Sequence, residues 1–452
     1  MSPAPLGWSG ILRLGLVQTA IGAMFALTSL TLNRVMVVEF AMPAIVPAAF
    51  VAWNYVVQLS RPRWGYGSDM GGRRAPWIIG GMGVLGLGAM LATDATTMMT
   101  ASPLLGGLLA FVAFTLVGAG VGAAGTSLLA LLATRVAPER RPAAAAITWI
   151  MMIAGFIVYA AVSGILLQPF SSQRLALVAS GVSGVSFLVA LMAVTGAEPR
   201  DSALAATASA AAPAELRPSF TAVLAETWAD PLARRFTIFV FVSMLAYSAQ
   251  ELILEPYAGL VFHMTPAQSA QLTGMEKGGA LLGMMLVGAL GAGIGDGKAA
   301  WMRLWTVAGC VGSALALVGL SAASMVGPAW PLAPTVFALG LANGVFAVAA
   351  IGSMMGLAGG GKGSREGARM GLWGGAQAGA FAIGGFLGAT GVQGLRSVMH
   401  QSGPAFVLVF AAEGLLFLAA AVLAARLDNP STRSTSVSDA AASPVEFGGV
   451  RS

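Results

Sequence analysis

The residues of this chain best suited to chemistry are acidic side chains inside apolar segments, because a carboxylate within a membrane is costly and usually functional. Glu251 and Glu255 stand four residues apart, so they share one face of a helix. Pro256 follows directly and is expected to kink that helix or end its regular part. Together with Tyr247 and Gln250, these residues form a candidate site that contacts a partner or opens to a cavity between the helices. The alternative is that both carboxylates are solvated at the membrane surface or satisfied by neighbouring polar groups.

Three residues outside this stretch are further candidates. Glu413 lies about ten residues into the last apolar segment, where it is either protonated in lipid or paired inside a helical bundle. His263 offers a neutral imidazole nitrogen that could ligate the magnesium of a chlorin, although an isolated histidine at an interface usually binds nothing. His400 is a weaker candidate of the same kind. Since the two histidines and the single Cys310 are far apart in the sequence, no metal centre is predicted.

The sequence lacks the motifs of the enzymes that its candidate residues might suggest. It contains no Gly-x-x-x-x-Gly-Lys-Ser/Thr loop for a nucleotide. Asp69 and Asp94 stand alone, so there is no Asp-x-x-x-Asp pair to hold a magnesium diphosphate. No nucleophile lies beside a base. The chain is therefore predicted not to be an enzyme and to use no nucleotide cofactor.

The composition shows which elements must position these residues. Of 452 residues, 57% are hydrophobic and only 9% are charged, against roughly 25% charged in soluble domains. So few charges cannot cover a water-facing surface, which excludes a soluble enzyme and a nucleic-acid module. The pattern predicts an all-α polytopic membrane protein, embedded in the lipid bilayer.

Twelve segments are apolar and long enough to span a membrane. If both termini are cytoplasmic, 20 of the 24 basic residues face the cytoplasm, which is a strong positive-inside bias. This topology accounts for the net charge of +6 without a nucleic-acid partner. The predicted spans are about 12–33, 41–60, 76–94, 104–133, 144–168, 174–195, 235–262, 277–295, 301–323, 331–357, 370–393 and 403–426.

A polar stretch divides the spans into six and six, which indicates two pseudo-symmetric bundles. We predict an N-terminal bundle over 1–195 and a C-terminal bundle over 234–426. The stretch 196–233 is predicted to be a cytoplasmic linker with a possible interfacial helix, and 427–452 a disordered cytoplasmic tail. The other candidate architecture is a twelve-helix transporter of a different fold.

The segment between the second and third spans resembles the loop signature of the major facilitator superfamily. It reads Gly-x-x-x-Asp followed by Gly-Arg-Arg, with Met70 where a basic residue is usual. The glycines are expected to form a tight turn and the aspartate to lie near a helix N-terminus. In the superfamily this motif controls conformation; the alternative is an ordinary positive-inside loop. The matching residues are Gly65, Asp69, Gly72, Arg73 and Arg74.

Several stretches together resemble the PucC/LhaA family of phototrophic bacteria, a branch of that superfamily. The resemblance covers roughly 10–426 and is carried by Leu32–Glu39, Arg61–Gly80, Arg235–Tyr257 and Met264–Gly274. It implies a protein of the inner or photosynthetic membrane that assembles light-harvesting complexes. It would bind or deliver bacteriochlorophyll or a precursor, or guide the antenna polypeptides into place. Some members are labelled as a bacteriochlorophyll synthase chain, which makes that synthase a further possible partner.

Two other functions remain open from the sequence. The first is a proton-coupled secondary transporter that uses Glu251, Glu255 or Glu413. The second is a subunit associated with bacteriochlorophyll synthase. The scarcity of charge in the spans favours an apolar client over an ion-coupled pathway.

Overall fold

The computed structural model describes residues 5–43, 45–71, 73–198, 219–264, 266–291, 298–359 and 365–427. All regular secondary structure in these ranges is helical. The first seven helices are α1 (Trp8–Ala26), α2 (Ile45–Gln58), α3 (Arg61–Met70), α4 (Ala75–Ala101), α5 (Pro103–Arg135), α6 (Arg141–Leu166) and α7 (Ser172–Val194). The next seven are α8 (Phe220–Ala229), α9 (Pro231–Phe262), α10 (Pro266–Gly291), α11 (Lys298–Val326), α12 (Leu332–Gly359), α13 (Glu366–Met399) and α14 (Ser402–Ala425).

Side-chain caps and left-handed residues set several of the helix ends. The Ser171 hydroxyl accepts a hydrogen bond from the Arg174 amide at 3.1 Å and starts α7. Asp230 accepts from the Leu232 amide at 3.0 Å and starts α9. His263 ends α9 in the left-handed conformation, with φ of 55°. These residues satisfy backbone groups that a helix end leaves without partners.

The described part of the chain contains ten helices long and apolar enough to cross a membrane, against twelve predicted spans. Two predicted spans fall short of that criterion. One corresponds to α2, which has only 14 residues. The other corresponds to α10, which starts earlier than predicted and includes the adjacent charges Glu276 and Lys277. Those charges lower the hydropathy of a segment that nevertheless packs along α12, so hydropathy alone misplaced its start.

The first span differs from a simple helix. After α1 the chain continues through π-helical turns at Leu27–Thr31 and Val35–Glu39, joined by Leu32–Arg34. The Thr28 hydroxyl donates to the Met24 carbonyl at 3.1 Å. Such back-bonding hydroxyls compete with the backbone ladder of the helix, which is consistent with a widened turn at this point.

The helices pack in two sets that meet along a few contacts. In the first set α1 packs on α6 and α7, while α4 packs on α5 and α7. In the second set α9 packs on α13 and α14, while α12 packs on α10 and α11. Between the sets, α6 packs on α10 and α12, and α13 packs on α2, α3 and α5. The end of the molecule that carries α3, α8 and the start of α6 is called the linker end below.

Candidate functional site

The Gly-x-x-x-Asp motif between α2 and α4 forms an ionic contact between the two helix sets at the linker end. The Asp69 carboxylate accepts hydrogen bonds from the backbone amides of Gly367 and Ala368, both at 2.9 Å. These amides belong to the first turn of α13, where backbone N–H groups have no helical partner and the helix dipole favours negative charge. The prediction that Asp69 lies near a helix N-terminus agrees with this geometry.

Arg74 joins the same contact. Its guanidinium lies 3.0 Å from Asp69 and 3.0 Å from Glu366, the first residue of α13. All three side chains are largely buried, with 15% or less of each exposed. We call Asp69, Arg74 and Glu366 the linker-end lock. Because the charges are desolvated and share hydrogen bonds, removal of one partner is costly.

Of the two motif glycines predicted to form a tight turn, the structure describes only Gly65, which does not form one. Gly65 lies inside α3, and a Cβ atom added to it would overlap the carbonyl group of Gly367. The glycine is therefore needed for the close approach of two backbones rather than for an unusual dihedral angle. Gly72 lies outside the described residues.

Arg73 and Arg74 have separate partners. The Glu198 carboxylate accepts a hydrogen bond from the Arg74 amide at 2.6 Å, and it lies 3.8 Å from the Arg73 guanidinium. Glu198 thus caps the N-terminus of α4, a role that sequence reasoning missed because the two residues are far apart in the chain. Arg73 itself is half exposed, at 46%, so its ion pair with Glu198 is expected to be weak.

Burial changes the titration of charged groups at the linker end. Burial raises the pKa of Asp69 above its usual range, while Arg74 and the amides of Ala368 and Gly367 oppose that rise. The carboxylate therefore depends on its partners to keep its charge. Burial also lowers the pKa of Arg61 to about 10, so that guanidinium stays charged at neutral pH.

The residues predicted on the seventh span lie in α9, and the structure places only some of their side chains. Gln250 is buried, and neither its amide oxygen nor its nitrogen has a hydrogen-bond partner within the described residues. The Tyr247 ring packs 6.0 Å from the Phe381 ring of α13. The side chains of Glu251 and Glu255 lie outside the described residues.

Two outcomes were expected at Pro256, a kink or the end of the regular helix. The second does not occur, because α9 continues to Phe262. The residues beyond the proline are stabilised by packing. The Tyr257 hydroxyl donates to the Leu320 carbonyl at 2.9 Å, and its ring meets that of Phe410 at 4.9 Å. Tertiary contacts thus compensate for the backbone hydrogen bond that a proline removes.

The remaining predicted residues lie in different places. Glu413 is buried in α14 with 3% of its surface exposed, and neither carboxyl oxygen has a hydrogen-bond partner within the described residues. His263 is exposed at the end of α9, and His400 is exposed at the end of α13. Both histidines adopt the left-handed backbone conformation, and each ends the helix that precedes it.

A groove on the first helix set was not predicted. It has a volume of about 580 Å³ and lies between α6 and α7, with α1 as its floor. Valine and leucine side chains form its walls, small residues form its floor, and Arg174 lies at the end away from the linker. None of the predicted candidate residues lines it. Hydropathy cannot separate a groove from any other lipid-facing surface, so the sequence contained no usable signal. Its wall residues include Val158, Val162, Leu166, Leu177, Val185 and Val189.

Solved structures with the same arrangement of helices define the fold class. The chain aligns over 92% of its length with a bacterial homologue of the iron transporter ferroportin, with a TM-score of 0.67 and 13% identity, covering 99% of that protein. It aligns with the proton:xylose symporter XylE with a TM-score of 0.65 and 12% identity, covering 91% of this chain and 93% of that one. The protein therefore has the fold of the major facilitator superfamily.

The sequence comparisons identify the family. Residues 31–431 match the family model described as "PUCC protein". A relative from Rhodobacter capsulatus named "Bacteriochlorophyll synthase 44.5 kDa chain" is 48% identical over 422 residues, covering 93% of this chain and 95% of the relative. "Protein PucC" from the same species is 29% identical over 437 residues, covering 93% of this chain and 92% of that protein. The chain belongs to the PUCC family, as its resemblance indicated.

Proposed function

We propose that this chain is a non-catalytic assembly factor for photosynthetic light-harvesting complexes, which carries a chlorophyll-type pigment in the groove between α6 and α7. The family match and the name of the relative from Rhodobacter capsulatus support a role linked to photosynthetic pigment. The observation that carries the pigment-binding part is the groove itself. Its volume of about 580 Å³ lies within the range of roughly 300–1,000 Å³ that is typical of small-molecule sites.

The chemistry of the groove matches an amphiphile with a long apolar tail. Because lipid tails are as apolar as the groove walls, transfer from lipid contributes little to binding. Affinity must then come from close packing and from the polar end of the ligand. Ala20 and Ala23 of the floor and Gly181 of α7 allow a flat or branched group to approach closely. Arg174 offers a guanidinium to an ester, keto or carboxyl oxygen at one end.

His263 has no part in this pigment site. It lies at the end of α9 in the second helix set, whereas the groove belongs to the first set. The proposal accordingly does not use the magnesium of a chlorin as the point of attachment. Antenna polypeptides are proposed as the recipients of the pigment, with bacteriochlorophyll synthase as a candidate donor.

The topology belongs to the same proposal. We place the linker end in the cytoplasm, on the inner or photosynthetic membrane, because the basic residues of the chain concentrate there. Arg61, Arg63 and Arg74 lie in or beside α3, and Arg140 and Arg141 lie at the start of α6. The groove would then open to lipid in the leaflet away from the cytoplasm.

The test is pigment retention by a groove-filled variant. The protein is purified in mild detergent from a pigment-producing host, and the ratio of pigment absorbance to protein is measured. In Gly181→Phe a bulky side chain is added to a residue that lines the groove, and its Cβ meets no atom within 4 Å. Loss of the packing space is expected to lower the pigment ratio about tenfold.

The matched control is Gly184→Phe. Gly184 lies on the same helix, also has no atom within 4 Å of an added Cβ, and does not line the groove. It should retain pigment like the unmodified chain. Equal retention by the two variants would contradict the groove site. Absence of pigment and antenna polypeptides from the unmodified protein, together with unchanged antenna assembly after deletion, would contradict the function.

The same preparation separates the competing functions. Esterification of bacteriochlorophyllide by the isolated chain would make it an enzyme, and we expect none. Substrate-dependent proton uptake into liposomes that is abolished by Glu251→Gln would make it a transporter. Pigment retention without either activity is the result that the proposed function requires.

A further inference from the structure

A second cavity lies at the linker end, where the two helix sets meet. It has a volume of about 240 Å³ and is bounded by the start of α6 on one side and by α9, α11, α12 and α14 on the other. We propose that this pocket binds the phosphate headgroup of an anionic phospholipid and that the bound lipid holds the two sets together. The proposal does not depend on pigment binding.

Positive charge in the pocket argues for an anionic ligand. Arg141 and Arg303 both line it, together with the hydroxyl-bearing residues Thr306 and Ser353. No carboxylate is among the described residues that line it. The carboxylates of Glu139 and Glu366 act electrostatically on Arg141, but neither residue lines the pocket. The lining therefore presents guanidinium groups, which bind phosphate oxygens with strong, charge-assisted hydrogen bonds.

The hydrogen bonds of Arg141 leave room for such a ligand. Its guanidinium donates to the carbonyl oxygens of Val136 and Gly356, each at a long distance of 3.4 Å. Hydrogen bonds of this length lie beyond the usual range for N–H donors. A phosphate oxygen at a normal distance would therefore replace weak contacts with stronger ones.

The depth and the apolar surface of the pocket select a lipid rather than a free phosphate ion. Arg141 is the first residue of α6, and Arg303 lies in the second turn of α11, so both lie near the ends of membrane-crossing helices, at headgroup level. Pro138, Leu357 and Leu427 keep part of their surface exposed and add an apolar wall. A phospholipid offers a phosphate and adjoining glycerol and acyl groups, whereas a phosphate ion would leave that wall uncovered. Basic pockets between helices on this side of a membrane typically bind anionic headgroups.

The pocket walls come from both helix sets, which gives the bound lipid a structural effect. Pro138, Arg141 and Pro142 belong to the first set, while Arg303 and Ser353 belong to the second. The sets already touch here, since a Cβ added to Gly352 would lie 3.3 Å from the Cα atom of Pro142. A ligand that binds only when the two helix sets touch at the linker end stabilises that arrangement by mass action. The lipid should therefore favour the arrangement in which the linker end is closed.

The experiment is native mass spectrometry of the full chain in detergent, titrated with phosphatidylglycerol, with phosphatidylcholine as the zwitterionic comparison. The unmodified chain should retain phosphatidylglycerol in preference to phosphatidylcholine. Arg141→Gln and Arg303→Gln should each weaken phosphatidylglycerol binding about tenfold, since each removes one charge-assisted contact. Arg234→Gln is the matched control, because Arg234 is an exposed arginine at the same end that does not line the pocket. It should bind lipid like the unmodified chain.

A space-filling variant tests the pocket without removing an arginine, so weaker lipid binding cannot then be caused by lost charge. A Cβ added to Gly356 meets no atom within 4 Å, so Gly356→Leu should fill the pocket without disturbing its walls. It should weaken binding with both arginines present. In a parallel thermal-unfolding series, phosphatidylglycerol should raise the unfolding midpoint of the unmodified chain and of Arg234→Gln, but not that of Gly356→Leu.

Three results would overturn the proposal. One is equal binding of phosphatidylglycerol and phosphatidylcholine. Another is the same loss of binding in Arg234→Gln as in Arg141→Gln, because that would indicate general surface attraction. The third is protection from unfolding by inorganic phosphate at constant ionic strength with no added effect of phosphatidylglycerol, since the ligand would then be a soluble anion.

Discussion

Asp69 shows how one side chain can connect two halves of a membrane protein. Among the described residues, its carboxylate accepts hydrogen bonds from N–H donors, namely the amides of Gly367 and Ala368 and the Arg74 guanidinium. An acceptor-only group suits a helix N-terminus, which presents only donors. The charge matters as well, because Arg74 also pairs with Glu366 and balances two acids.

Replacing the carboxylate with an amide tests this account. Asp69→Asn keeps the shape of the side chain but brings an NH₂ group towards N–H donors. It also leaves Glu366 as the remaining acid of the linker-end lock that balances the charge of Arg74. We expect a destabilisation of roughly 2–4 kcal/mol, measured as a lower thermal-unfolding midpoint in detergent. Asp94→Asn makes the same chemical change at an exposed residue of α4 and should leave the midpoint within experimental error. A similar loss in both variants would refute a specific role for Asp69.

At the scale of helices, glycines set the distances between axes. A Cβ added to Gly22 of α1 would overlap the carbonyl oxygen of Met152 in α6. In the same way, a Cβ on Gly118 of α5 would lie 2.6 Å from the carbonyl oxygen of Asn54 in α2, and one on Gly388 of α13 would lie 2.7 Å from that of Ala249 in α9. These spaced glycines are used for packing within the molecule, which is how close helix pairs gain contact area in lipid.

Gly22→Ala therefore should separate α1 from α6. The added methyl group overfills a close contact, and the expected cost is about 1–3 kcal/mol, seen as faster loss of monodisperse protein on heating in detergent. Gly107→Ala in α5 is the control, because an added Cβ there meets no atom within 4 Å. It should be neutral or stabilising by up to about 1 kcal/mol, since alanine favours a helix. If both alanine variants behave alike, the close contact does not govern the stability of this pair.

On the scale of the whole molecule, two sets of contacts join the halves. The linker-end lock connects α3 and α4 to α13, and the pairing of α6 with α10 and α12 forms the second contact. Within the second half, ion pairs from Glu226 of α8 to Arg365 and from Asp230 to Arg369 attach the segment after the linker to the start of α13. The halves are thus held by noncovalent contacts as well as by the chain that connects them.

Cleavage of the connecting chain should leave the halves associated. With a protease site introduced in 201–218, a tagged first half should still retain the second half after digestion in mild detergent. Adding Gly65→Leu should reduce retention strongly, because its side chain would overlap Gly367 of α13. Gly80→Leu is the control, since an added Cβ there meets no atom within 4 Å. Separation of the halves in the unmodified chain would show that the connection, and not the interface, holds them together.

The sequence by itself determined the class of protein, its family and the residues of its principal motif. Membrane insertion depends on the local density of apolar side chains, and the positive-inside bias depends on charge along the chain, so both can be predicted without tertiary structure. Asp69, Arg73 and Arg74 were identified because they match the loop signature of the superfamily. The preference of an aspartate for a helix N-terminus is equally local.

Only the tertiary structure decided which groups these residues meet. The amide that binds Asp69 lies 298 positions away in the chain, and no periodicity predicts that pairing. The same holds for Arg141 and Arg303, which share a pocket only because α6 and α11 both begin at the linker end. The continuation of α9 past Pro256 also depends on Tyr257 contacting distant helices. In lipid every apolar surface has similar solvation, so hydropathy marks which segments enter the membrane, while close packing and buried polar contacts decide which of them touch.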